Sequence, residues 1–254
     1  MDEVLITIGG AGMTPALIVG LLNAAALSAL LTALAIPLLR RAHVIDIPVG
    51  RSLHEHPIPR GGGLAVVLAV ALSVWAAPLI TFSLDGLPHM SARFDIVILG
   101  LSTILAFALV GLAEDLYSLP ATTRLGLQLG LGLLLGLGAC LELRTSMWPA
   151  PVIAVCSAGL VNVTNFMDGA NGLAAGHAVV AAAWFVAVSL VVPVPGLGFV
   201  MVAVAGACLG FLPFNAPRAR VFLGDSGPYA LGGAWSFAAT VCLAGSAKDR
   251  KSVV

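Results

Sequence analysis

Read by polarity alone, the chain alternates long apolar runs with short polar connectors from end to end. Eight runs approach the roughly 20 residues a helix needs to cross a hydrocarbon core. They cover about 15 to 39, 62 to 82, 95 to 113, 125 to 141, 149 to 164, 173 to 192, 197 to 213 and 229 to 246. Leu, Ala, Val and Gly dominate them, and small residues suit close helix packing in a membrane. The pattern predicts an all-α, polytopic integral membrane protein of about eight transmembrane helices. No soluble domain or internal repeat interrupts the series, so residues 1–254 read as a single transmembrane domain. One polar island, from Asn162 to Leu173, gathers amides, a carboxylate and glycines between two apolar runs. Such groups belong at a membrane surface or in a protein-lined cavity, because hydrocarbon cannot satisfy them.

Composition agrees with the pattern. At 59% hydrophobic and 9% charged residues, with a mean hydropathy of +1.06, the chain lies outside the soluble globular range. Twelve basic and twelve acidic residues leave no basic footprint for nucleic acid. Cys140, Cys156, Cys208 and Cys242 sit singly in apolar runs and read as small lipid-facing or core residues rather than a metal set. Asp2 and Glu3 stand where a cleavable signal peptide would be basic, so the first apolar run is expected to remain as a span.

Charge placement sets the orientation. Counting alternate loops, Arg40, Arg41, Arg51, Arg60, Arg124, Arg218 and Arg220 fall on one side, and Arg93 and Arg144 on the other. The positive-inside rule makes the richer side cytoplasmic and the N-terminus periplasmic. Lys248, Arg250 and Lys251 in the tail then fall outside, against the rule. The same counting carries Glu114, Asp115, Asp168 and Asp225 to the cytoplasmic face. Carboxylates gathered there point to a bound cation or proton traffic, and Mg²⁺ held by one or two carboxylates and phosphate oxygens would offset their repulsion.

Four stretches carry the candidate chemistry. In Arg51 to Gly63, cations, His54, His56 and a glycine run open a helix, which suits phosphate; basic loops broken by Pro and Gly are also the norm on a cytoplasmic face. The adjacent acids Glu114 and Asp115 end a span, where they oppose the macrodipole and repel each other. Metal or proton chemistry explains them better than solvated acids do. In the island, Asn162, Asn165 and Asn171 offer amides for a base or sugar, and Asp168 a base or ligand; the same residues also make ordinary polar hairpins. In Phe211 to Gly227, Arg218 and Arg220 approach Asp225, which suits a diphosphate with its metal, while Asp225 alone would also serve as a helix cap.

In this order the stretches resemble the polyprenyl-phosphate N-acetylhexosamine-1-phosphate transferase family. The resemblance runs from about Arg51 to Gly233. His54 to Gly63 meet its His-x-x-Pro-x-Pro-Arg-Gly-Gly-Gly loop, Glu114-Asp115 its acid pair, Asn162 to Gly169 its Asn-x-x-Asn-Phe-x-Asp-Gly motif, and Phe222 to Gly227 its Phe-Leu-Gly-Asp-Ser-Gly motif. The resemblance implies transfer of a sugar 1-phosphate from a UDP-N-acetylhexosamine to undecaprenyl phosphate, releasing UMP, in bacterial cell-envelope polysaccharide synthesis. The implied setting is the inner membrane, with a cytoplasmic active site. It implies Mg²⁺, or Mn²⁺ in its place, with Asp225, Asn165 and Asp115 as metal residues. Glu114, Asp115 and Asp168 would be catalytic, and His54, Arg60, Asn162, Asn171, Arg218 and Arg220 substrate-binding. A homodimer is left open as an assembly state.

Three departures qualify the carry-over. Glu114 replaces the usual Asp of the pair, moving its carboxylate outward by a methylene. Asn171 stands where the peptidoglycan-branch enzymes usually carry Asp, which favours a simple N-acetylhexosamine donor such as UDP-GlcNAc over the muramoyl-pentapeptide one. The family's late His-rich loop and last spans have no counterpart before Val254. The rival readings are a phospho-N-acetylmuramoyl-pentapeptide transferase, a cation-coupled transporter and an inactive, truncated relative.

Overall fold

The apolar runs fold as helices that extend the predicted spans by a few residues at most ends. In the computed structural model, which describes residues 2–48, 56–85, 94–191, 194 and 196–252, eight helices follow the predicted order. They are α1 (Asp2–Arg41), α2 (Gly63–Asp85), α3 (Phe94–Tyr117), α4 (Ala121–Leu143), α5 (Ala150–Met167), α6 (Leu173–Val191), α7 (Leu197–Asn215) and α8 (Ser226–Ser252). Among the described residues, six of them are long and apolar enough to cross a membrane: α1 from Pro15, and α3 to α7. α2 contributes a shorter apolar stretch, Gly63–Ala76. α8, expected as the eighth span, does not meet that measure: its first half, Ser226–Thr240, carries Gly, Ser, Thr, Pro and Tyr among its apolar residues, and most of it is buried inside the protein.

The helices sort into two packed groups. α1, α2, α6 and α7 pack mainly on one another, as do α3, α4, α5 and α8, and the buried α7 and α8 lie where the groups meet. Leu197, Val200 and Met201 of α7 and Ala234 and Phe237 of α8 are fully enclosed, whereas Leu22, Leu38, Trp75, Val180 and Trp184 face outward. Apolar side chains turned out of the bundle are the expected counterpart of a hydrocarbon solvent.

Successive helices reverse direction across short connectors, so the ends of α1, α3, α5 and α7 and the starts of α2, α4, α6 and α8 come to one end of the bundle. A short antiparallel pair sits there, β1 (Ile45–Asp46) with β2 (Ile58–Pro59), Ile45 opposite Pro59 and Asp46 opposite Ile58. All the described residues singled out for chemistry belong to this end. His54 lies outside the described residues, as does Arg51.

Candidate active site

The site begins with a backbone seam. Phe222 N–H donates to the Pro59 carbonyl at 2.8 Å, and the Phe222 carbonyl accepts from Gly61 and Gly62 N–H at 3.1 and 2.8 Å. Gly63 N–H continues the seam to the Leu223 carbonyl at 2.8 Å. A side chain at Gly63 would collide with the Gly227 backbone, and one at Gly111 with the Asp225 carbonyl. The glycines of three motifs therefore let the starts of α2 and α8 and the last turns of α3 touch backbone to backbone. Gly224, at φ 71°, makes the left-handed turn into α8 that a side chain would strain.

That approach delivers Asp115 to the start of α8. Its Oδ1 accepts from Asp225 N–H at 3.0 Å, and its Oδ2 from Ser226 N–H at 3.1 Å. A carboxylate at a helix N-terminus is favoured by the dipole, and each charge-assisted bond contributes about 1.5–3 kcal/mol. α8 is thus capped by a residue 110 positions earlier. Asp225, which sequence reasoning also allowed as that cap, is left with its side chain free for the site.

Arg60 closes the cluster. One guanidinium nitrogen lies 2.6 Å from Asp225 Oδ2 and 3.0 Å from Asp115 Oδ1. The two carboxylates are mostly shielded and the Arg60 side chain is 41% exposed, so one face of the cation remains open to a ligand. Asp168, just past the end of α5, feels the same charges. Burial first, then Asp225 and Asp115, push its carboxyl up to about 7 against the opposing pull of Arg60. Burial likewise raises Asp225, with Asp115 and Glu114 adding to the rise and Arg60 and Arg124 opposing it. Three acids against one shared cation leave surplus negative charge.

That surplus is the fit test for a divalent cation. Among the described residues no three His, Cys, Asp or Glu side chains form a ready-made cage, and both Asp115 oxygens already carry protein donors. Asp225 and Asp168, with the Asn165 amide one helical turn before Asp168, offer hard oxygens. Such a set suits Mg²⁺, which binds through one or two carboxylates and completes its shell with water and phosphate.

The remaining expected residues divide. Asn171 is exposed and its amide donates to the Pro217 carbonyl at 3.3 Å, while Gly172 N–H donates to Asn215 Oδ1 at 2.8 Å. Asn215 in turn donates to the Val221 carbonyl at 3.0 Å, fixing the island against the loop after α7. Asn162 turns into the bundle: its amide donates to Gln128 Oε1 of α4 at 2.6 Å and to the Ala158 carbonyl at 2.8 Å. Its donors are therefore engaged by the protein. Arg220 folds over the Phe214 ring at 4.7 Å and donates to the Pro213 carbonyl at 3.0 Å. Arg218 is exposed, with no hydrogen bond or ion pair to a described residue.

Glu114 behaves unlike its neighbour. Its Oε1 accepts from Arg124, at the start of α4, at 2.9 Å. Sequence reasoning counted Arg124 only as a cytoplasmic cation and missed it as a partner, because the pairing depends on how α3 and α4 meet. Tyr229 and Gln128, also missed, read in sequence as parts of apolar runs.

Comparison with known proteins follows the geometry. Residues 96–243, more than half of the chain, match the model described as Glycosyl transferase family 4. A decaprenyl-phosphate N-acetylglucosaminephosphotransferase of Mycolicibacterium smegmatis is 29% identical over 216 residues, 76% of this chain and 52% of the relative. Its namesake from Mycobacterium leprae is 29% identical over 235 residues, 83% of this chain and 57% of that protein. A phospho-N-acetylmuramoyl-pentapeptide-transferase of Mycobacterium sp. (strain KMS) is 31% identical over 222 residues, 69% of this chain and 61% of its own length. The chain thus spans between half and two thirds of the length of these relatives. On the family match, and with the described residues of all four motifs drawn to one end of the bundle, the chain belongs to glycosyl transferase family 4.

Proposed function

We propose that the chain transfers N-acetylhexosamine 1-phosphate, GlcNAc 1-phosphate in the first instance, from its UDP derivative to a polyprenyl phosphate such as undecaprenyl phosphate. An oxygen of the lipid phosphate attacks the phosphorus that carries the sugar. The bond from that phosphorus to the bridging oxygen breaks, UMP leaves with the electron pair, and a lipid diphosphate sugar remains in the membrane. The observation that carries this reading is the Arg60–Asp115–Asp225 cluster with Asp168 beside it, built by the motif backbones at one end of the bundle. The names of the relatives support the donor and acceptor classes, with two decaprenyl-phosphate N-acetylglucosaminephosphotransferases among them.

A lipid phosphate is largely ionised at neutral pH, so positioning and charge neutralisation matter more than removing a proton. Arg60, fixed by two carboxylates with one side open, is suited to orient phosphate oxygens. Asp225 and Asp168, with Asn165, would hold Mg²⁺ or Mn²⁺, which when bound supplies positive charge to the diphosphate. Asp115 keeps the start of α8, and Asp225 with it, in register. The positive-inside count supports a site that faces the cytoplasm, and the family resemblance supports a bacterial inner membrane as its setting.

The test is UMP release by purified protein from UDP-GlcNAc, UDP-GalNAc and UDP-MurNAc-pentapeptide, with undecaprenyl phosphate present or omitted and Mg²⁺ present or chelated. Release that needs both lipid and metal, with UDP-GlcNAc preferred, is expected. Release from UDP-MurNAc-pentapeptide alone would move the chain to the peptidoglycan branch. No release from any donor by folded protein would remove the activity.

A further inference from the structure

The Glu114–Arg124 pair is set apart from the Arg60 cluster by how it is held. Arg124 lies 2.9 Å from Glu114 Oε1, and the Glu114 side chain is only 13% exposed. Tyr229, one turn into α8 and almost fully buried beside Phe107, Val110 and Val161, lies within electrostatic reach of Arg124. The Tyr229 hydroxyl also lies within electrostatic reach of Glu114 and Asp225. Three helices therefore meet around one guanidinium: α3 brings Glu114, which pairs with Arg124 of α4, and α8 brings Tyr229 close by. The second carboxylate oxygen, Glu114 Oε2, is buried and has no hydrogen-bond partner among the described residues. A buried acceptor left unmatched is unfavourable. A purely structural ion pair has no need of one, whereas an acid held ready for a ligand does.

Resting on the transferase reading above, we infer that Arg124 is a positioning residue. With Tyr229 beside it, it clamps Glu114 Oε1 at 2.9 Å, so that Oε2 stays fixed at the edge of the site as a hydrogen-bond acceptor for the reacting substrates. The longer Glu side chain, which moves its carboxylate outward relative to Asp, brings Glu114 to a cation on the next helix. Asp115 stays with the backbone of α8. Arg124 acts through Glu114 and not on the substrate.

The test compares Arg124→Gln, Arg124→Lys, Tyr229→Phe, Glu114→Gln and the double variant Arg124→Gln/Glu114→Gln, each purified in detergent, by kcat, by KM for each substrate and by thermal unfolding. Arg124→Gln is expected to lower kcat by about 10- to 100-fold, the scale of a misplaced reacting group, with KM for the UDP-sugar little changed. Arg124→Lys, which keeps the charge, should restore most of the rate, and Tyr229→Phe should cost a few-fold. The double variant should be no slower than Glu114→Gln alone, because one residue acts through the other. Losses that multiply, or a Lys variant as slow as the Gln variant, would overturn the inference. Should the wild type show no lipid-dependent UMP release, it is the transferase reading that fails. The pairing is then judged by the unfolding midpoints alone, where strictly additive losses for Arg124→Gln and Glu114→Gln would overturn it as well.

Discussion

Two seams in this protein use the same device to different ends. Between α1 and α7, Gly206 and Gly210 press against the backbone of Leu21 and Ala25, leaving no room for a side chain. Small residues there let two helices approach closely in lipid, and the gain is packing alone. At the other seam, Gly63 and Gly111 bring the α2 and α3 backbones equally close to α8. What meets there is polar: peptide N–H groups, the Asp115 carboxylate and, through it, Arg60 and Asp225. Close backbone approach thus builds fold at one place and a charged site at the other. The difference lies in whether the helices touch mid-length, where backbone groups are already paired within each helix, or at their ends, where backbone donors are unpaired.

The sharpest way to break the comparison is at Asp225. Asp225→Asn is expected to reduce transfer by at least about 10³-fold, the upper range for removing one electrostatic group from such a site, while expression and membrane insertion are unchanged. Turnover equal to wild type would take Asp225 out of the site. Next come the glycines. Gly111→Leu should lower specific activity by about 100-fold or more by pushing Asp115 off the start of α8. Gly210→Leu should instead lower the thermal midpoint and the yield of folded protein, with nearly normal activity in what folds. Activity per folded molecule, set against thermal unfolding of each variant, measures the contrast. If both glycines behaved alike, the division into a fold seam and a site seam would fail.

A smaller effect is expected with pH. Burial and the neighbouring acids raise the Asp168 carboxyl to about 7, well above the ordinary carboxylate range. The folded protein therefore holds that proton more tightly than the unfolded chain. Its contribution to stability is present at low pH and is lost as pH rises from about 4 through about 7. Activity runs the other way if Asp168 acts ionised: the rate should climb through about pH 7, and Asp168→Asn should erase that limb from the pH–rate profile. A profile identical in the variant would assign the limb to another group.

The smallest effects should come from residues engaged by the protein itself. Asn162→Leu removes the donor to Gln128 Oε1 and the one to the Ala158 carbonyl, leaves the buried Gln128 acceptor unmatched and should cost about 1–3 kcal/mol of stability. Its KM for the UDP-sugar should not change. Arg220→Ala, which loses the stack on Phe214, should change kcat/KM by only a few-fold. A large KM effect at either position would return it to substrate binding.

These expectations also mark how far the sequence could be read. The number and order of the helices followed from hydropathy, since each run must bury itself or face lipid, although among the described residues six of them are long and apolar enough to span. That the acids gather at one end was legible too, because acids at span ends are too costly to be incidental. What could not be read was the division of labour inside it. Glu114 and Asp115 are adjacent, yet a step of about 100° around the helix sends one to Arg124 on α4 and the other to the backbone before α8. Arg60 was expected at phosphates or sugar, and its resting place between two carboxylates depends on the seam that joins residues 59–63 to 222–223. Asn162 looked like a recognition amide in its polar island. Its partner Gln128 is hidden in an apolar run 34 residues earlier, and only the packing of α5 on α4 brings them together.

The most direct test of the central claim follows the two phosphorus atoms of the donor. UDP-GlcNAc carrying ³²P only on the phosphate next to the sugar would be mixed with undecaprenyl phosphate, Mg²⁺ and the purified chain in nanodiscs. If the site cleaves between the two phosphates, the label passes into the lipid fraction and the UMP released is unlabelled. Label recovered in water-soluble UDP would mean that the sugar–oxygen bond breaks instead, and would contradict the account of what this cluster is built to do.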